Sequence, residues 1–198
     1  MRTISKTAGA ELAMLITRER EKLINAVLFF AENTEYCGKV KLFKLLYFLD
    51  FEHFKLTGRS VTGLDYYAWR MGPVPTQLFD EMQSPEHDMA EALEFTEIPV
   101  YQGRSTMIKV TPKAEFSAEH FTKREIKLMQ SLAAEYASTK AEEMIEATHL
   151  ENMPWDKVFN KERRQQEIIP YELSLSNADT ELFAHVINDR KQVLASLS

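Results

Sequence analysis

The stretch KVKLFKLLYFLDFEHFKLT, residues 39–57, limits what this chain can fold into more than any other. It has helical length, contains neither proline nor glycine, and is followed by Gly58, a natural stop. Eleven of the seventeen positions from 40 to 56 are large and apolar. On a helical wheel, Lys44, Lys55, Lys41 and Glu52 share an arc between about 40° and 120°, and the rest is almost wholly apolar. A helix like this is expected at the centre of a fold, gripped on several sides, with the lysine arc left for solvent or a partner.

Asp50 and His53 fall inside the apolar arc, on adjoining rows of one face. A buried carboxylate must be paired or hydrogen-bonded, since a bare one costs several kcal/mol. Its candidate partners are His53, Arg59, Arg70 and the backbone N–H groups of the following loop. The pair reads first as structural, holding that loop. It also reads as two members of a metal or acid–base site with His149 as a third ligand. Phe48 and Phe51 lie on the lysine arc. Either another helix covers them, or they form an exposed aromatic patch with a lysine rim, the composition of a protein-binding hot spot.

Around this helix the pattern is mainly helical. Residues 8–32 read as a helix, with a break at the charged run from Arg18 to Lys22 and Thr17 as a cap for its second piece. Val61 and Tyr66–Trp69 favour extended structure, cut short by Gly72, Pro73 and Pro75. A short helix is predicted over 75–83. Residues 93–100 and 106–111 read as a β-hairpin with Gly103 in its turn. Thr122 and Glu125 form a capping box for a helix with Ile126, Met129, Leu132, Ala133 and Tyr136 on one stripe. Thr139 and Glu142 form a second, with Met144, Ile145, Thr148 and His149 together. Trp155 reads as a core plug. An amphipathic helix over about 177–196 carries Leu182, Phe183, Val186 and Ile187 on its face. The expected fold is α+β and predominantly helical, a compact helical domain with a small antiparallel hairpin.

The 198 residues suffice for a sizeable core. The single cysteine, Cys37, cannot form an internal disulfide, and no apolar run reaches the roughly 20 residues of a membrane helix. A cytoplasmic protein with no membrane partner is the natural reading. Net charge is −6, with a small basic excess only in the first 60 residues. That balance argues against a nucleic-acid partner, which needs a basic footprint. The sequence holds no GxSxG, no Walker loop, no HExxH and no paired CxxC, so no catalytic set, cofactor site or metal site is visible. His87, His120 and His185 are isolated.

Four pieces in order carry a resemblance: Lys44–His53, Gly58–Gly63, Tyr66–Trp69 and Gly72–Pro75, with His149 and Pro154–Trp155 further on. Together they resemble the Panacea domain of SocA-like antitoxins, the phage-associated GepA-type proteins. The resemblance spans roughly residues 20–160. It suggests an N-terminal helical extension over 1–18, the Panacea-like domain over 19–160 and a C-terminal extension over 161–198.

The resemblance implies an antitoxin of a toxin–antitoxin system, acting through protein–protein contact on a cognate toxin encoded by an adjacent gene. It implies, as an alternative, a proteolytic adaptor that delivers the toxin to a ClpXP-type protease. Neither role needs catalysis, so the chain is not expected to be an enzyme. A metal-dependent enzyme using Asp50, His53 and His149 is the third reading. A partner surface is expected from Lys44, Phe48 and Phe51 of the central helix with Arg70, Met71, Pro73, Val74 and Pro75 of the Gly-Pro segment. Asp50 and His53 would then be a structural polar pair.

Overall fold

A computed structural model describes residues 4–100, 105–150 and 153–196, with the side chains of the first helix described from residue 18 onward. Helix α1 (Ile4–Asn33) leads through a short loop into α2 (Lys39–Thr57). A three-residue hairpin follows, β1 (Tyr67–Trp69) and β2 (Gly72–Val74), then the short helices α3 (Thr76–Glu81) and α4 (His87–Ala92). The second hairpin pairs β3 (Leu93–Val100) with β4 (Ser105–Pro112). Helices α5 (Lys123–Glu135), α6 (Ala141–Thr148) and α7 (Pro154–Asp156) come next. A π turn at Lys157–Lys161, a 3-10 turn at Tyr171–Ser174 and α8 (Asn177–Ala195) complete the order. Both sheets are two-stranded and antiparallel. The fold is α+β and predominantly helical, as expected.

Helix α2 is the centre. Leu42, Leu45, Leu46 and Leu49 are wholly buried. The second half of α1 covers one side with Ala26, Val27 and Phe30, α5 another with Met129 and Leu132, and α6 a third with Met144. The hairpin β1–β2 and the 3-10 turn close the remainder. Each of the larger of these side chains, Leu, Val, Phe or Met, stabilises the fold by about 1.5–3 kcal/mol on burial. Gly58 ends α2 in the left-handed region, its N–H donating to Phe54 O at 2.8 Å. The wheel's solvent arc survives only at Glu52 and Lys55, towards the C-terminal end of α2. Lys41 and Lys44 are both buried, because α5 and α6 pack over that arc and backbone carbonyls receive the ammonium groups.

Some local expectations are corrected. Helix α1 runs through residues 17 and 18 without a break, so no second piece starts there. The charged run there is used sideways: Arg20 binds Glu81 and Asp88, tying α1 to α3 and α4. Helix α4 is not visible in the pattern. The second capping box sits one residue later, with Glu143 accepting from Lys140 N–H at 2.9 Å. Leu182 is exposed, while Phe183, Val186 and Ile187 of α8 face inward. Gly103 lies outside the described residues.

The chain beyond residue 160 is stitched into the same core. Gln166 and Glu167 exchange backbone bonds with Ala68, Ile169 N–H donates to Tyr66 O at 2.7 Å, and Ile169 is buried. This segment runs along the free edge of β1, with Ile168 bridged antiparallel to Tyr67.

Candidate functional site

Asp50 is the most completely satisfied group on α2. Its Oδ1 accepts from the N–H groups of Val61 at 2.7 Å and Thr62 at 2.8 Å. Its Oδ2 accepts from the Thr62 hydroxyl and from the Tyr66 hydroxyl at 2.7 Å. Burial pushes the carboxyl pKa up to about 6 against the pull of these four donors, so it is ionised at neutral pH. His53 does not pair with Asp50. Its Nδ1–H donates to Arg59 O at 2.7 Å, while burial, opposed by that bond, lowers its pKa. The two residues hold successive parts of the loop Gly58–Gly63, one by its middle and one by its start.

Lys44 makes the second anchor. Its Nζ, 1% exposed with the rest of the residue, donates to Pro73 O at 2.8 Å. Burial without a carboxylate partner brings its pKa down to about 7. Gly72 passes so close that a Cβ there would lie 2.7 Å from Thr148 Oγ1 and 2.8 Å from Lys44 Nζ, and its φ is +96°. Only glycine fits this crossing.

The third anchor joins the end of the motif to its middle. Trp155 Nε1 donates to Trp69 O at 2.9 Å. His149 stacks on Trp155 with centroids 3.8 Å apart, and Phe159 stacks on its indole at 4.6 Å. Burial, and then the charge of Lys44, lower the His149 pKa. Its Nε2 and the Tyr47 hydroxyl are the buried polar atoms with no hydrogen-bond partner among the described residues.

Most of the expected partner surface is therefore interior. Phe48 stacks on Tyr136 at 5.4 Å, and Phe51 lies against Tyr47 at 4.2 Å and Tyr171 at 4.5 Å. The covering groups come from the end of α5 and the 3-10 turn, so no exposed aromatic patch forms on α2. Lys44, Pro73, Val74 and Pro75 are buried as well. Arg70 and Met71 alone of that set are exposed, at the tip of β1–β2. The metal set fails on geometry. Asp50 is saturated by donors, His53 faces a carbonyl and His149 faces Trp155. Among the described residues, Glu81, Glu86 and Asp88 form the one convergent trio of metal-ligand type, and Arg20 already sits in it. Thr62 and Tyr171 were missed from the sequence. Tyr171 donates to Leu64 O at 2.5 Å and stacks on Phe54, so it closes the same loop from outside the motif.

In this frame buried polar side chains fasten two loops and a hairpin to the central helix. The chain belongs to the family of the antitoxin SocA-like Panacea domain, whose model matches residues 42–156, more than half of its length. The match begins inside α2 and ends at Asp156, so it encloses all three anchors. No curated protein and no solved structure matches the chain. Among the described residues no helix is long and apolar enough to cross a membrane.

Proposed function

We propose that this chain is the antitoxin of a bacterial or prophage toxin–antitoxin pair, and that it neutralises a protein toxin by direct binding, without catalysis, in the cytoplasm. The family supports an antitoxin-like role and, in general, a toxin partner. The observation that carries the reading is the fate of Asp50: the residue most like a catalytic acid spends both oxygens on four loop donors. A group so satisfied shapes a surface and has no lone pair to offer a substrate.

Co-expression with the product of the neighbouring gene tests the reading. Restored growth with the toxin intact and co-purifying is expected. Restored growth with the toxin degraded would replace neutralisation by delivery to a protease. Restored growth with a chemically altered toxin would make the chain an enzyme.

A further inference from the structure

A cleft of about 1150 Å³ has neither Arg70 nor Met71, the tip of β1–β2, in its lining. One wall is α1 from Arg18 to Lys22 and the start of α5. The other is the 168–172 segment with α8, and the loop 58–65 forms the end. It exceeds the roughly 300–1,000 Å³ of a small-molecule pocket, so its size suits a polypeptide segment better than a metabolite.

Its charges are sorted. Lys22 pairs with Glu125, Arg190 with Glu19 and Lys191 with Glu172. Arg18, Arg59, Lys123 and Arg124 are exposed there and meet no carboxylate among the described residues. An acidic protein of net charge −6 thus keeps a group of unpaired cations in one concavity. Beside them lie Phe54, Tyr171, Ile187 and the 39%-exposed Ile168, an apolar floor that a phosphate backbone would not use. Asp65 and Asp189 on the lining also disfavour a run of phosphates.

The cleft is pre-shaped by the motif. Asp50 fixes Val61 and Thr62, and His53 fixes the Arg59 carbonyl, so the loop that presents Arg59 is ordered before any partner arrives. Little ordering entropy is then lost on binding.

We propose that this cleft is the surface that engages the toxin, and that it takes an acidic, amphipathic polypeptide segment. The acids of that segment meet Arg18, Arg59, Lys123 and Arg124, and its apolar side chains cover Ile168 and the apolar surface beside it. This rests on the antitoxin reading for the partner's identity, but not for the chemistry of the cleft.

The test needs no toxin. A displayed library of random 15-residue peptides is panned on the full-length chain, and enriched peptides are titrated against Arg59→Glu/Arg124→Glu, against Arg70→Glu at the hairpin tip, and against a fluorescent single-stranded DNA. Enriched peptides should combine Asp or Glu with Leu, Ile or Phe. They should bind the double variant at least about tenfold more weakly, with Arg70→Glu unchanged. Circular dichroism checks that both variants fold. No enrichment, peptides without acidic excess, equal binding to the double variant, or loss on Arg70→Glu instead would each overturn the proposal. So would DNA binding that competes the peptides away. If acidic peptides bind while co-expression gives no neutralisation, the cleft stands and the antitoxin reading falls. The reverse outcome removes the cleft alone.

Discussion

Lys44 reaches from the central helix to the carbonyl of Pro73, 2.8 Å away, and that bond fastens α2 to the Gly-Pro hairpin. The ammonium group has no carboxylate beside it, and its pKa falls to about 7. The folded state therefore favours neutral Lys44, while the unfolded chain holds that proton up to about pH 10.4. Stability from this group is missing below pH 7 and is gained as pH rises from 7 toward 10. Lys44→Met removes the titration. The stability of the native chain relative to this variant should rise by about 2 kcal/mol between pH 7 and pH 9, measured by urea unfolding. A difference independent of pH would show that Lys44 stays charged.

Asp50 gives a prediction with two arms. Asp50→Ala leaves the N–H groups of Val61 and Thr62 and two hydroxyls without their acceptor, and should cost about 3–5 kcal/mol. Asp50→Asn keeps an oxygen for the two N–H groups, while its amide can face the Thr62 and Tyr66 hydroxyls, which accept as well as donate. Its cost should be nearer about 1–2 kcal/mol. Equal losses for the two variants would mean that the charge matters more than the acceptor geometry.

Glycines 63 and 72 separate backbone strain from crowding. Both have positive φ, at +72° and +96°, so alanine costs about 1–2 kcal/mol at either. At Gly63 the added carbon meets the Glu19 carboxylate, the end of a flexible side chain. At Gly72 it meets Thr148 Oγ1 and the buried Lys44. Gly72→Ala should therefore lower the melting temperature clearly more than Gly63→Ala, since the buried neighbours have nowhere to move.

The central helix, the hairpin at 93–112, the first capping box and the core position of Trp155 are legible from periodicity and turn residues. The loop N–H groups that bind Asp50 were one of four candidates, and nothing in residue type decided between them and His53, Arg59 or Arg70. The burial of Lys41 and Lys44 was not legible, because a helical wheel sends charged tips outward by assumption. A lysine stem is apolar, and its tip needs only a carbonyl. Eleven large apolar residues in seventeen already leave little room for a solvent face, and that count was the available warning. The cleft could not be read from sequence, since its lining comes from five separated segments between Arg18 and Val193. Nor could the strand-like attachment of 166–169, whose backbone bonds leave no trace in residue type.

Trp155→Phe keeps the stacking on His149 and Phe159 but loses the donor to Trp69 O. The loss should be about 1–2 kcal/mol, with hydrogen exchange at β1 and β2 rising more than in α5. Uniform exchange across the protein would show that the bond does not hold the hairpin locally.

The central claim is that a rigid frame acts by occupying its partner. The measurement is the ratio of antitoxin to toxin at which neutralisation saturates, with the toxin's abundance and mass followed alongside. The account predicts saturation near equal amounts, with intact toxin held in the complex. Full neutralisation by a small fraction of that amount, with the toxin degraded or altered, would contradict it.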